Sequence, residues 1–241
     1  MTDSSGDLTL RLTRVAAAPS DEPGAIRVLL ETTRGPIEGV MHPVEGGSGA
    51  LICVSGAMGG LDGPNRKLYR RLAPAFVEAG VTTLRLNYRK PNEFEECLMD
   101  VMAGCSFLRG IGATDVVLAG HSFGAAVVIK AAELAPLVRG VVSMSPQLYG
   151  TRQIELMERP LLLVHGTADS ILSHDASEDI YKRANDPKQI VLIADTGHSL
   201  DGGGDALDEL LLRWVPERLR GEPMQSGRSD WMGQVRDDLQ P

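Results

Sequence analysis

A chain of 241 residues, 43% hydrophobic and 23% charged, carries enough apolar material for one large domain or two small ones, each ordinary in composition. Its formal net charge of −8 sets a long-range field that repels nucleic acid and anionic membrane surfaces, so neither is expected as a partner. Aromatic residues make up only 4%, which leaves the core to Leu, Val, Ile and Ala.

Residues 1–7 are polar and acidic, without the basic segment and apolar run of a secretory leader, and no apolar stretch approaches the roughly 20 residues that span a bilayer. Cys53, Cys97 and Cys105 form an odd, irregularly spaced set. Neither a disulfide framework nor a structural metal is expected from them, no cofactor fingerprint is present, and a cytoplasmic location is the expectation.

In chain order, residues 1–24 read as an N-terminal extension with room for an edge strand. Ile26–Thr33 and Ile37–Pro43 read as two strands flanking the turn-prone Arg34-Gly35-Pro36. Ala50–Ser55 is a buried strand, and Asn65 is placed to cap a helix that runs to Ala79 and stops at Gly80. Val81–Tyr88 is the next strand, followed by a helix from about Asn92 to Arg109. Asp115–Gly120 is a strand and Ser122–Leu134 a helix; Val138–Met144 and Leu161–His165 are further strands. A helix over Ser177–Ala184 precedes the last strand, Gln189–Ala194. Asp205–Leu219 then has Leu207, Leu210, Leu211 and Trp214 at helical spacing. No repeat is present. Alternating strands and helices specify an α/β fold over residues 25–220, with a mostly parallel central sheet of about eight strands and helices on both faces. Residues 1–7 and 221–241 read as polar tails, the second poor in aliphatics except around Trp231 and Met232. The connection from Met144 to Pro160 is too short for a substantial lid domain.

Gly120-His121-Ser122-Phe123-Gly124 is a G-x-S-x-G segment between a strand and a helix, the setting that places a serine hydroxyl on a sharp turn above the sheet. The alternative is a Ser122 that merely caps the helix. A serine nucleophile requires a base and a group that orients the base. His198 is the only one of five histidines that follows the last strand; His174 is the alternative. His121 reads as elbow packing and His165 as support for its own loop. Asp169, near the tip of the loop after Leu161–His165, is the expected acid, because the segment after the preceding strand, Ser143-Met144-Ser145-Pro146-Gln147, has no carboxylate. Asp175 is the fallback, while Asp195 and Asp201 read as turn or cap residues. An oxyanion hole would take one N–H from Phe123 and a second from the loop Ser55-Gly56-Ala57-Met58-Gly59-Gly60, with Ala57 first and Met58 second.

Together the elbow, Gly197-His198 and Gly166-Thr167-Ala168-Asp169 resemble the α/β-hydrolase superfamily over about Ala25 to Leu219. The layout without a lid resembles its small esterase and dienelactone-hydrolase-like branch, as does Leu86-Asn87-Tyr88-Arg89. A dienelactone hydrolase proper carries Cys as nucleophile where this chain has Ser122, and the oxyanion loop begins Ser55-Gly56 where His-Gly is common. The expectation is a serine hydrolase acting on a small-molecule carboxylic ester or thioester, with no metal and no cofactor. Acyl transfer or perhydrolysis on the same triad, and a non-catalytic binding protein, are the alternatives. The apolar helices also allow a homodimer face.

Overall fold

In a computed structural model, residues 9–231 are described. They build one sheet of ten strands: β1 (Leu12–Pro19), β2 (Ile26–Thr32), β3 (Ile37–His42), β4 (Gly49–Val54), β5 (Thr82–Asn87), β6 (Asp115–His121), β7 (Val138–Met144), β8 (Leu161–Gly166), β9 (Lys188–Ile193) and β10 (Gly227–Trp231). The order across the sheet is β1-β2-β3-β5-β4-β6-β7-β8-β9-β10. The first three strands pair antiparallel down to β5, and every pairing from β5 to β10 is parallel. Five helices connect them: α1 (Pro64–Glu78), α2 (Phe94–Gly110), α3 (Phe123–Leu134), α4 (Asp175–Arg183) and α5 (Gly204–Leu219).

The central strands are buried on both faces and largely apolar, because helices cover each side. In β4, Ile52 and Val54 join the core under α2 and α3, whereas Leu51 and Cys53 join the one under α1 and α5. In β6, Val116 and Leu118 face the first core and Val117 and Ala119 the second. The helix α5 supplies Leu207, Leu210, Leu211 and Trp214 to the second core, the four residues whose spacing marks it in sequence.

Beyond the about eight strands expected, two more are present: β1, in the room left for an edge strand within residues 1–24, and β10. The two extra ones show little apolar alternation because they lie at the sheet's edges: β1 is mostly exposed, and β10 is exposed at four of its five residues. The stretch 221–241, read as a tail, thus contributes β10, held by backbone pairing to β9; the tail at residues 1–7 and Met232 lie outside the described residues. The cap expected at Asn65 is also corrected. Gly63 and Pro64 begin α1, and Asn65, Arg66 and Lys67 all take left-handed backbone, with φ of 45°, 53° and 66°. Asn65 is buried, and instead of capping, its N–H donates to Ser199 O at 2.8 Å. Asn92 likewise stands outside α2, in a turn with φ of 69°.

From β4 the chain crosses through α1 to β5 on one side, and β6 pairs on the other. This divergence leaves a crevice at the carboxyl ends of β4 and β6, where open parallel sheets place their ligand sites. The loops after β4, β6, β8 and β9 all emerge at that end of the sheet.

Candidate active site

Ser122 joins β6 to α3 with φ 58° and ψ −119°, a strained backbone for a non-glycine residue, held by its N–H donating to Met144 O at 2.8 Å. The elbow depends on its flanking glycines. A Cβ at Gly120 would overlap the Gly124 carbonyl, and one at Gly124 would overlap the carbonyl oxygen of Ser55 in the loop after β4. Although Ser122 occupies the position preceding α3, its hydroxyl makes no capping hydrogen bond. The simple cap reading therefore does not describe this serine.

Asp169 and His198 meet across two loops. His198 Nδ1 lies 2.7 Å from Asp169 Oδ2, with the Asp169 side chain fully buried and that of His198 13% exposed. The other carboxylate oxygen, Oδ1, accepts the N–H groups of Ile171 at 2.8 Å and Leu172 at 2.9 Å. Burial by itself would raise the Asp169 pKa; the hydrogen bonds from Leu172, His198 and Ile171 outweigh it and hold the carboxyl below its ordinary range. His174 stands ahead of α4, and it is His198 that takes Asp169. Asp175 lies in the first turn of α4 and accepts from Ser173 Oγ at 2.8 Å.

Two donors hold the carbonyl of His198: His121 Nε2 at 2.9 Å and Ser145 Oγ at 3.2 Å. Burial pushes the His121 pKa down to about 4, so at neutral pH the ring is neutral and its Nε2–H donates. The two imidazoles lie with centroids 4.8 Å apart. His121 is thus more than elbow packing, since it ties the elbow to the histidine loop. Ser145 sits at a turn with φ of 46°, and nothing in its local sequence signals the contact.

The loop after β4 passes directly over the serine. A Cβ built on Gly56 would be 3.4 Å from Ser122 Cβ and 3.7 Å from Oγ, so Ala57 and Met58 begin beside the hydroxyl. A turn from Gly59 N–H to Gly56 O (2.9 Å) and a bond from Gly60 N–H to Asn87 Oδ1 (2.8 Å) shape this loop. Phe123, in the first turn of α3, has an N–H with no intrahelical acceptor. Behind it, Tyr88 and Phe94 pack edge-on to its ring at 6.2 and 5.9 Å. Arg89, the last residue of the Leu86–Arg89 segment, anchors that loop through Asp100 and Glu96. Glu96, in the first turn of α2, is held down to about 2, first by Arg34 and then by Arg89 against burial.

The loops after β4, β7 and β8 carry exposed apolar side chains: Met58, Leu148, Tyr149 and Ile171. Between β7 and β8 the only helix is a single turn, Ile154–Leu156, so nothing in that connection forms a lid domain. Among the described residues no group of three or more His, Cys, Asp or Glu side chains is arranged to hold a metal, and no helix is long and apolar enough to cross a membrane. The three cysteines are free and buried.

Sheet order, helix placement and a strained serine turn at the switch point define an α/β-hydrolase fold. Solved structures share it. A putative α/β hydrolase of unknown function from Agrobacterium tumefaciens superposes with a TM-score of 0.70 at 23% identity, covering 83% of this chain and 100% of that one. The dienelactone hydrolase of Anabaena variabilis gives 0.68 at 17% identity over 86% of this chain and 100% of its own. An esterase of Pyrococcus furiosus gives 0.70 at 16%, over 88% and 99%. In sequence, the chain is 37% identical over 59 residues to YfhR, an uncharacterized protein of Escherichia coli O157:H7 and of strain K12. That match spans 23% of this chain and about a fifth of those relatives, 21% of their length. No protein-family model matches the chain.

Proposed function

We propose that this protein is a serine hydrolase that cleaves a carboxylic ester or thioester through an acyl-enzyme on Ser122. The observation that carries the reading is the buried Asp169 carboxylate at 2.7 Å from His198 Nδ1, on loops beside a serine whose hydroxyl is not spent on capping. Solved proteins named as an esterase and a dienelactone hydrolase share the fold, which supports hydrolysis as the reaction class.

In this mechanism Asp169 accepts the Nδ1–H of His198 and so presents Nε2 as the base. His198 takes the Ser122 proton as Oγ attacks the carbonyl carbon. The resulting oxyanion is received by the N–H of Phe123 and that of Ala57, or Met58, at the start of the neighbouring loop. His198 then delivers the proton to the leaving alcohol or thiol. Water, deprotonated by the same imidazole, attacks the acyl carbon, and Ser122 leaves with the proton restored. The apolar Met58, Leu148, Tyr149 and Ile171 favour a substrate whose acyl or alcohol part is apolar, and the short connection after β7 leaves the site open.

Labelling with a fluorophosphonate probe tests the reading: intact protein is expected to react at Ser122, and a folded protein that stays unlabelled sinks it. A panel of esters, thioesters and amides of graded acyl length then sets the substrate class, and product analysis with alcohol or peroxide as acceptor separates hydrolysis from acyl transfer and perhydrolysis. Equal ester turnover by the wild type and Ser122→Ala would favour a binding protein.

A further inference from the structure

A second histidine contacts the same carboxylate oxygen as His198. His165, the penultimate residue of β8, has a fully buried side chain, and its Nε2 lies 3.1 Å from Asp169 Oδ2 and 3.0 Å from the carbonyl oxygen of Leu172. Its Nδ1 lies 2.7 Å from Ser177 Oγ, on the first turns of α4. Both neighbours of Nε2 are acceptors, one of them charged. A ring with a bare lone pair at Nε2 would be repelled by both, so that nitrogen must carry the proton. Ser177 is the one partner that can either donate or accept, and it settles on donating its hydroxyl proton to Nδ1. Burial holds the His165 pKa below its ordinary range, against the pull of the Leu172 carbonyl and of Asp169, so the neutral ring is the form present at neutral pH.

We propose that His165 is a positioning residue for the acid–base pair: as its neutral Nε2–H tautomer, fixed by Ser177, it donates to Asp169 and shares with His198 the oxygen that orients the base. The inference rests on the reading of Asp169 and His198 as acid and base. Two consequences follow from sharing Oδ2. The carboxylate, already held through Oδ1 by Ile171 and Leu172, loses its remaining freedom to rotate away from His198. The donated hydrogen bond also draws charge from Oδ2, so that the Nδ1–H of His198 shares its acceptor with a second donor. The ionisable groups facing this centre are Asp169 and His174 from the segment between β8 and α4, His198 from the loop after β9, and His121 from the elbow.

Long-range proton–nitrogen NMR on the intact, histidine-labelled protein reads the tautomer without any variant. The Nε2–H form of His165 is expected at neutral pH; the Nδ1–H form overturns the proposal. In the His165→Phe protein, where His198 is left as the only imidazole on Oδ2, the His198 Nδ1–H resonance is expected to move downfield, the sign of a stronger hydrogen bond to an oxygen no longer shared. A folded His165→Phe in which that resonance stays in place overturns it. His165→Gln, whose amide can donate to Asp169, is expected to recover part of the difference; no recovery, with the fold intact, reduces His165 to a space filler and overturns the role in charge sharing. None of these readouts needs turnover. If Ser122 does not react with fluorophosphonate while the tautomer and the shift are found, the hydrolase reading alone fails; if Ser122 reacts and His198 does not move, the positioning role alone fails.

Discussion

The hydroxyl of Ser122 is available because its backbone is strained, and the strain is set by neighbours rather than by serine itself. Gly124 must lack a Cβ because the Ser55 carbonyl already occupies that space. Gly124→Ala is expected to lower stability by about 1–3 kcal/mol, read from the denaturant midpoint, and to reduce probe labelling of Ser122. Ser122→Ala and His198→Ala are each expected to cut ester turnover by at least about a thousandfold while leaving the circular dichroism spectrum unchanged, because the residues act as a unit. Asn87 has a different role. Its Oδ1 accepts the Gly60 N–H and so shapes the loop that brings Ala57 to the serine. Asn87→Leu is expected to lower kcat roughly tenfold with KM little changed, since only the transition state uses the displaced N–H.

The start of α1 shows how an element can be right in type and wrong in detail. Its helical length and its stop near Gly80 follow from the local sequence. Its entry does not: Asn65, Arg66 and Lys67 pass through left-handed backbone so that Asn65 N–H reaches Ser199 O beside the histidine loop. Left-handed backbone costs a non-glycine residue roughly 1–2 kcal/mol. Arg66 is exposed, so Arg66→Gly is expected to raise stability by about 0.5–1 kcal/mol in a denaturant titration, part of the relief being offset by the greater freedom of the unfolded chain. At the opposite edge, β10 adds backbone pairing to β9 with few buried side chains, which is why no period-2 pattern marks it.

Across the whole molecule, acid lability is written into the buried ionisable groups. His121 is neutral in the folded protein until about pH 4, while the same ring in the unfolded chain binds a proton near pH 6.5. Between those values the unfolded state holds more protons, so stability is full above pH 6.5 and falls as pH drops toward 4, by on the order of 3 kcal/mol from this ring. Glu96 acts at lower pH. Its depressed value of about 2 means a contribution that is complete above pH 4.5 and lost as pH falls toward 2. The thermal midpoint is therefore expected to be level above about pH 6.5 and to fall in two stages below it. His121→Gln is expected to flatten the upper stage; an unchanged slope in that variant would remove His121 as its cause.

The alternation of apolar strands with amphipathic helices, the G-x-S-x-G turn, and the places of Asp169 and His198 after later strands are local features, so period and spacing in the sequence were enough to determine them. Contacts between segments distant in the chain are decided only by folding. His121 and Ser145 meet the carbonyl of His198, Asn87 meets Gly60, and β10 finds the edge of β9. None of these contacts leaves a periodicity or a motif, because each depends on where two loops arrive after the sheet has twisted and paired. His165 lies between the two cases. It stands four residues before Asp169 in plain view, yet only the packing of α4 against β8 brings Ser177 to its other nitrogen and so sets which proton it holds.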